Sequence, residues 1–286
     1  MHAGRAMRPA ICIQTFTFLD QTGINLGIAL VKVPERILTS IERAIPFARV
    51  PVMLQRYLWK LLPKSQRQFL LGRLSVVDRQ VVNKSMSANL GFPQPFAQRS
   101  CLFIHVPKCA GSSVCEALFD NWRPGHLPLY WYEEQFPQQF GNSFKFAFVR
   151  DPLERAYSAY AYLRGNELGP RDHSAQKLVR QYRDFDDFVA RWLHPESIHR
   201  QLHFAAQTDF LTDSLGHLAL DFIGHQEHLE RDFSWVCEQL GYSVQLPRIN
   251  NSQQRRSGLA RDFCSVRTRR LVRRVYQRDY EMLGYE

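Results

Sequence analysis

Lys108, Gly111, Ser112 and Ser113 fall within the short run Val106-Pro107-Lys108-Cys109-Ala110-Gly111-Ser112-Ser113, which follows an apolar stretch and precedes a helix-like one. Small residues let the backbone curl around an anion. The N–H groups of Gly111 to Ser113 are then predicted to point at it, and a helix N-terminus adds partial positive charge. A Walker A loop, G-x-x-x-x-G-K-[ST], would place its lysine after the last glycine, beside the hydroxyl that binds Mg²⁺. Here Lys108 comes before Gly111. That order disfavours a metal-bound triphosphate and favours a ligand in which Lys108 itself reaches the bond being broken. The bland alternative is a strand-to-helix turn with serine as its cap and a solvated lysine.

A second group lies in Val149-Arg150-Asp151-Pro152-Leu153-Glu154-Arg155-Ala156-Tyr157-Ser158-Ala159-Tyr160. Arg150, just past an apolar run, can offer a planar fork to a terminal phosphate, and Ser158 a short rotatable donor from the next helix. An ion pair of Arg150 with Asp151 or Glu154 is the competing reading.

Both groups need strand ends to carry them. Cys101–Val106, Phe144–Val149 and Leu218–Ile223 read as short apolar strands, each leading into a helix: Ser112–Phe119, Leu153–Leu163 and Glu227–Leu240. Strands alternating with helices predict an α/β fold, a P-loop-like, mostly parallel sheet flanked by helices with ligand chemistry at the carboxyl ends of the strands. Ahead of it, Pro34 to Leu74 shows helical periodicity cut by Pro46, Pro51 and Pro63. Gly91 to Arg99, with Pro93 and Pro95, reads as a linker. The predicted organisation is a basic helical N-terminal extension, residues 1–95, and a catalytic domain, residues 96–286.

The paired motifs resemble those of the carbohydrate sulfotransferases, sulfotransferase family 2, which are Golgi enzymes with bacterial relatives. The residues that carry the likeness are Phe103-Ile104-His105-Val106-Pro107-Lys108 with Gly111-Ser112-Ser113, then Phe146-Ala147-Phe148-Val149-Arg150-Asp151-Pro152 with Arg155, Ser158 and Tyr160. It continues through Gln207-Thr208-Asp209-Phe210-Leu211, Asp221-Phe222-Ile223-Gly224, Glu227, Leu229-Glu230-Arg231-Asp232-Phe233 and Asn250-Asn251-Ser252 to Leu283-Gly284-Tyr285, covering roughly residues 100 to 286. The resemblance implies 3′-phosphoadenosine 5′-phosphosulfate (PAPS) as co-substrate. It assigns the loop Lys108, Cys109, Ala110, Gly111, Ser112 and Ser113 to the 5′-phosphosulfate, and Arg150 with Ser158 to the 3′-phosphate. Cys109 stands where the family commonly has threonine, and His225 where it often has arginine.

The implied reaction is transfer of a sulfuryl group to a hydroxyl, of a carbohydrate or another hydroxylated acceptor. Lys108 would neutralise the leaving phosphate, and positioning and electrostatics would supply most of the catalysis without a metal. For the base, His126 in Pro124-Gly125-His126-Leu127 lies between the two motifs, and related enzymes carry a histidine at a similar place. A neutral imidazole can take the acceptor's proton. His105 and Glu116 are weaker candidates, within the first strand and the helix after it.

Other features point elsewhere. His199 with His203, and His225 with His228, could each start a metal site, but neither pair has further ligands in pattern. The 286 residues are 45% apolar, so disorder and repeat architectures are excluded, and no run approaches a membrane-spanning length. Residues 1–100 hold 14 basic and 4 acidic residues while the remainder hold 23 of each, so the whole net charge of +10 sits in the first third. Such an extension could meet an anionic surface, giving peripheral membrane contact. No nucleic-acid-reading motif is evident. Nine arginines between Arg255 and Arg278 read as the polar face of a terminal helix. Arg255 and Arg256 are also candidates for a phosphate or an acidic glycan. Six sparse cysteines read as reduced thiols, and with no secretory signal a cytoplasmic setting is expected. The competing functions are a P-loop small-molecule kinase, which would need Mg²⁺ and ATP, and a basic membrane-binding module.

Overall fold

The computed structural model describes residues 59–87, 90–166, 168–247 and 259–286. The chain divides into two compact units, Met1–Gly72 and Arg73–Glu286. The described part of the first contains helix α1 (Lys64–Gly72). Most of the helical stretch expected over residues 34–74 lies outside the described residues.

The second unit begins with α2 (Val76–Ser85) and α3 (Gln94–Gln98). The linker reading of residues 91–99 is corrected by α3. Pro93 and Pro95, which looked like breaks, occupy its N-cap and first turn, where proline's missing N–H costs nothing. Phe96 is fully buried and meets Phe119 and Trp122 edge-on. Val77 and Val81 of α2 join the same core.

Three parallel strands form a sheet in the order β1 (Cys101–Ile104), β2 (Phe144–Val149) and β3 (Phe222–His225). Ile104 lies opposite Ala147, and Val149 opposite His225. All four residues of β1 are buried, as expected of a strand covered on both faces. From β1 the chain passes through α4 (Gly111–Phe119), α5 (Leu129–Gln135) and α6 (Pro137–Asn142) into β2. The first two strands and their helices fall where the sequence pattern puts them.

The third strand does not. It starts at Phe222 rather than Leu218, because Leu218 bridges Thr212 in an antiparallel contact. The Asp221 N–H donates to the Lys145 carbonyl at 2.8 Å, and its carboxylate binds both the Lys145 N–H at 2.7 Å and Nζ at 2.8 Å, so the chain meets β2 at Asp221, just ahead of the strand.

Between β2 and β3 the chain forms α7 (Pro152–Arg164), α8 (His173–Val179), α9 (Phe185–Arg191), α10 (Pro195–Ile198) and α11 (Thr208–Leu211). After β3 come α12 (Leu229–Leu240), α13 (Ala260–Phe263), α14 (Val266–Val275) and α15 (Gln277–Leu283). Asp151 caps α7 by accepting the Glu154 N–H at 2.9 Å, with Pro152 in its first turn. Ala156, Ala159 and Leu163 of α7 pack with Phe188 of α9 and Val272 of α14 in a second core. The arginine-rich helix is α14: Val272 points inward while Arg267, Arg269, Arg270, Arg273 and Arg274 are exposed. The five described cysteines are free and buried, and no described helix is long and apolar enough to cross a membrane.

Candidate active site

Past β1 the chain stays buried through Val106 and then bends into a loop in which Lys108 (φ 70°) and Ala110 (φ 59°) both take left-handed backbone. That conformation costs a non-glycine residue about 1–2 kcal/mol. Left-handed residues on either side of Cys109 are the kind of backbone alternation that can turn successive N–H groups to one side, as anion-binding loops do. Ala110 is the N-cap of α4 and offers no side-chain acceptor. The N–H groups of Gly111 and Ser112 find no carbonyl partner among the described residues. That of Ser113 does not face a ligand as expected, because it donates to the Ala110 carbonyl at 3.0 Å and closes the first turn.

Gly111 is required for a different reason. A Cβ there would lie 2.0 Å from Cδ2 of His105, whose buried ring fills the space beneath the loop. His105 Nδ1 has no partner among the described residues. Burial first, then the neighbouring His126 and Arg123, hold its pKa well below the usual histidine range, so the ring is neutral.

The Cys109 side chain is buried in the core. Its Sγ lies 3.2 Å from Oε1 of Gln207, and burial pushes its pKa up to about 12, leaving an unreactive thiol. Its position in the loop leaves only its backbone to serve an anion.

Arg150 follows β2 directly. The competing ion pair with Asp151 or Glu154 is not formed, since Asp151 caps α7 and Glu154 accepts the Ala260 N–H at 3.0 Å. The Arg150 side chain is buried, and its Nε has no partner among the described residues. A buried N–H without a partner is costly unless a ligand completes it. Lys108 lies close enough to Arg150 to feel its charge. Burial first, and then the Arg150 charge, bring the Lys108 pKa down to about 8. Ser158 is buried on α7, one turn before Tyr162 on the same helix face. The Tyr162 ring receives Lys108 Nζ at 4.0 Å from its centroid, so that face of α7 looks toward the loop.

His126 packs on His105, with ring centroids 4.4 Å apart. Its Nδ1 is 2.7 Å from the His105 carbonyl, so Nδ1 carries the proton and Nε2 keeps a lone pair. Burial lowers its pKa to about 4, with the hydrogen bond to the His105 carbonyl and then Asp172 opposing, and His203 and Arg123 adding to the fall. Of the weaker base candidates, His105 is sealed in and Glu116 is exposed on α4. The suggested histidine pairs separate. His199 faces Asp209 at 3.6 Å, His203 faces Asp172 at 2.9 Å, and His225 Nδ1 meets the Tyr285 hydroxyl at 3.0 Å. Arg255 and Arg256 lie outside the described residues.

The sequence reading missed four partners: Gln207, Asp172, Tyr162 and Asp279. Asp279, fully buried, accepts the N–H groups of Gln207 and Thr208 at 2.8 and 2.9 Å. Gln207 left a signal in the motif Gln207-Thr208-Asp209-Phe210-Leu211, without a role, and Tyr162 one in its spacing of four from Ser158 along the helix. A cleft of about 500 Å³ lined by Tyr157, Tyr160, Arg164, Phe185 and Phe263 does not include Lys108, Arg150 or His126.

Two cationic side chains thus follow adjacent parallel strands of an α/β sheet, Lys108 in the loop after β1 and Arg150 directly after β2. The chain belongs to the sulfotransferase family, whose model matches residues 97–286. It is similar to carbohydrate sulfotransferase 10 of Homo sapiens, at 27% identity over 77% of this chain and 68% of the relative. The same enzyme of Gallus gallus is 23% identical over 76% and 68%, and that of Danio rerio 23% identical over 80% and 70%.

Proposed function

We propose that this sulfotransferase uses PAPS as donor and a carbohydrate hydroxyl as acceptor, with Lys108, Arg150 and His126 as the working side chains. The acceptor reading rests on the names of the related enzymes. The donor reading is supported by one observation above the rest: the charge of Arg150, directly after β2, reaches Lys108 in the loop after β1, and the buried Arg150 Nε lacks a protein partner among the described residues. A nucleotide with phosphate at one end and phosphosulfate at the other supplies anions for both.

In this scheme the acceptor oxygen attacks sulfur as the bond from sulfur to the bridging phosphate oxygen breaks. The Lys108 ammonium and the N–H groups of Gly111 and Ser112 meet the negative charge that moves onto the departing 5′-phosphate. His126 Nε2 takes the proton from the acceptor hydroxyl, and its Nδ1–H, held by the His105 carbonyl, fixes the ring orientation. The products are the sulfate ester and 3′-phosphoadenosine 5′-phosphate (PAP). Arg150, with Ser158, holds the 3′-phosphate and so discriminates the donor from nucleotides lacking one.

The purified chain, incubated with ³⁵S-labelled PAPS and a panel of glycans, is expected to label at least one glycan equally well with and without EDTA. Turnover of ATP that requires Mg²⁺, with no transfer from PAPS, would replace this reading with that of a small-molecule kinase.

A further inference from the structure

Asp172 closes the 3₁₀ turn between α7 and α8, and both its oxygens are engaged. Oδ2 accepts the Tyr162 hydroxyl at 2.9 Å, and Oδ1 lies 2.9 Å from Nε2 of His203. The Tyr162 ring, tethered in this way, presents its face to Lys108 Nζ at 4.0 Å. Among the described residues no carboxylate forms a direct ion pair with Lys108.

We propose that Asp172 and Tyr162 are positioning residues for Lys108, the carboxylate fixing the phenol and the phenol's ring face holding the ammonium beside the anion loop. The inference rests on the sulfuryl-transfer reading, in which Lys108 meets the departing phosphate.

The chemistry of the hold is suited to that task. A carboxylate in contact with the ammonium would neutralise it and compete with the donor. A ring face restrains the charge without cancelling it, and yields when a stronger anion arrives. His203 occupies the other carboxylate oxygen, which keeps Asp172 from turning onto Lys108 itself.

The surrounding charges give Asp172 a second consequence. Lys108 faces Arg150 at the end of β2, Cys109 in its own loop, Tyr162 on α7, and Asp172 and His203 beyond it. Burial and Arg150 disfavour the ammonium; Asp172 and Cys109 act the other way. Cys109, with its pKa near 12, carries no charge at working pH, and His203 is kept neutral by burial. Asp172 is thus the anion among these groups that keeps Lys108 protonated, acting from beyond the ring.

The test is the titration of Lys108 in the full chain without donor or acceptor, read by NMR of ¹³Cε-labelled lysine and assigned with Lys108→Arg. Asp172→Asn is expected to move the Lys108 titration to lower pH. Tyr162→Leu, which removes the ring face, should do the same, and Tyr162→Phe, which keeps the ring but frees it, should give a smaller shift. With PAPS, Asp172→Asn should lower kcat about tenfold and move the basic limb of kcat/KM to lower pH. KM for PAPS should stay level or fall, because a negative charge near the donor has gone. A simple loss of packing would not separate the parameters in that way. An unchanged Lys108 titration in Asp172→Asn and Tyr162→Leu would overturn the inference, as would a kcat loss with an unmoved limb. If Asp172→Asn does not fold, the mild Tyr162→Phe decides by the same titration. The amine signal needs no turnover, so shifted titrations in a protein that transfers no sulfuryl group would uphold the positioning and sink only the functional reading.

Discussion

Gln207 holds Arg150 by both polar groups of its backbone: Oε1 accepts the Arg150 N–H at 3.0 Å and Nε2 donates to the Arg150 carbonyl at 2.8 Å. The same Oε1 takes the Cys109 thiol at 3.2 Å, so one buried amide joins the loop after β1 to the tip of β2. Asp279 fixes that amide from behind through the Gln207 N–H. The spacing of the two cationic side chains is therefore set by a residue far from either in sequence.

Gln207→Leu is expected to destabilise the fold by about 2–4 kcal/mol, because it leaves the N–H and C=O of Arg150 buried without partners. Urea unfolding measures this. Stability equal to wild type would show that water or a neighbour replaces the amide and that the strand tips do not depend on it.

Lys108 and Arg150 should fail in different ways. Lys108→Ala is expected to reduce kcat about 10²–10³-fold, the usual loss when a donor to developing charge is removed, while PAP binds within a few-fold of wild type. Arg150→Ala should weaken PAP binding about 10–100-fold, matching about 1.5–3 kcal/mol for a hydrogen bond to a charged group. Calorimetry with PAP and initial rates with PAPS separate the two. Full activity in either folded variant would remove that residue from the site.

The strands, the loop and the first two helices were legible because they rest on local chemistry: apolar runs ended by Pro107 or Asp151-Pro152, small residues at a turn, and a capping aspartate. Gln207, Asp172 and Asp279 were not, because each acts on a residue distant in sequence through a geometry that no spacing encodes. The start of β3 was misplaced for a similar reason. The run Leu218–Ile223 has a strand's composition, but Leu218 bridges back to Thr212, and only the end of the run joins the sheet. Cys109 was read by its place in the loop, whereas its side chain belongs to the core.

That inward thiol gives a plain expectation. Cys109→Ser should keep transfer within a few-fold, since a hydroxyl can make the same bond to Gln207. In the native wild type, Cys109 should resist iodoacetamide at pH 8, because a buried thiol with a pKa near 12 offers almost no thiolate. Rapid alkylation of Cys109 in the folded protein, mapped by peptide mass, would show that the loop opens and that Gln207 does not hold it.

The pH profile carries the signs of two groups that must be in opposite states. His126 has to be neutral to accept a proton, and with its pKa lowered to about 4 it stays so down to that pH. Lys108 has to be charged, and with its pKa lowered to about 8 it loses its proton as pH rises through that value. The profile of kcat/KM for PAPS, which reports the free enzyme, is therefore expected to fall below about pH 4 and above about pH 8. The basic limb of kcat should lie at higher pH, because the bound donor's negative charge favours the ammonium. Lys108→Arg should carry the basic limb out of range if it retains activity, since a guanidinium does not titrate there. His126→Asn should cost about 10²–10⁴-fold in kcat. A basic limb that stays near pH 8 in Lys108→Arg would assign it to another group and leave Lys108 without the role that the loop geometry gives it.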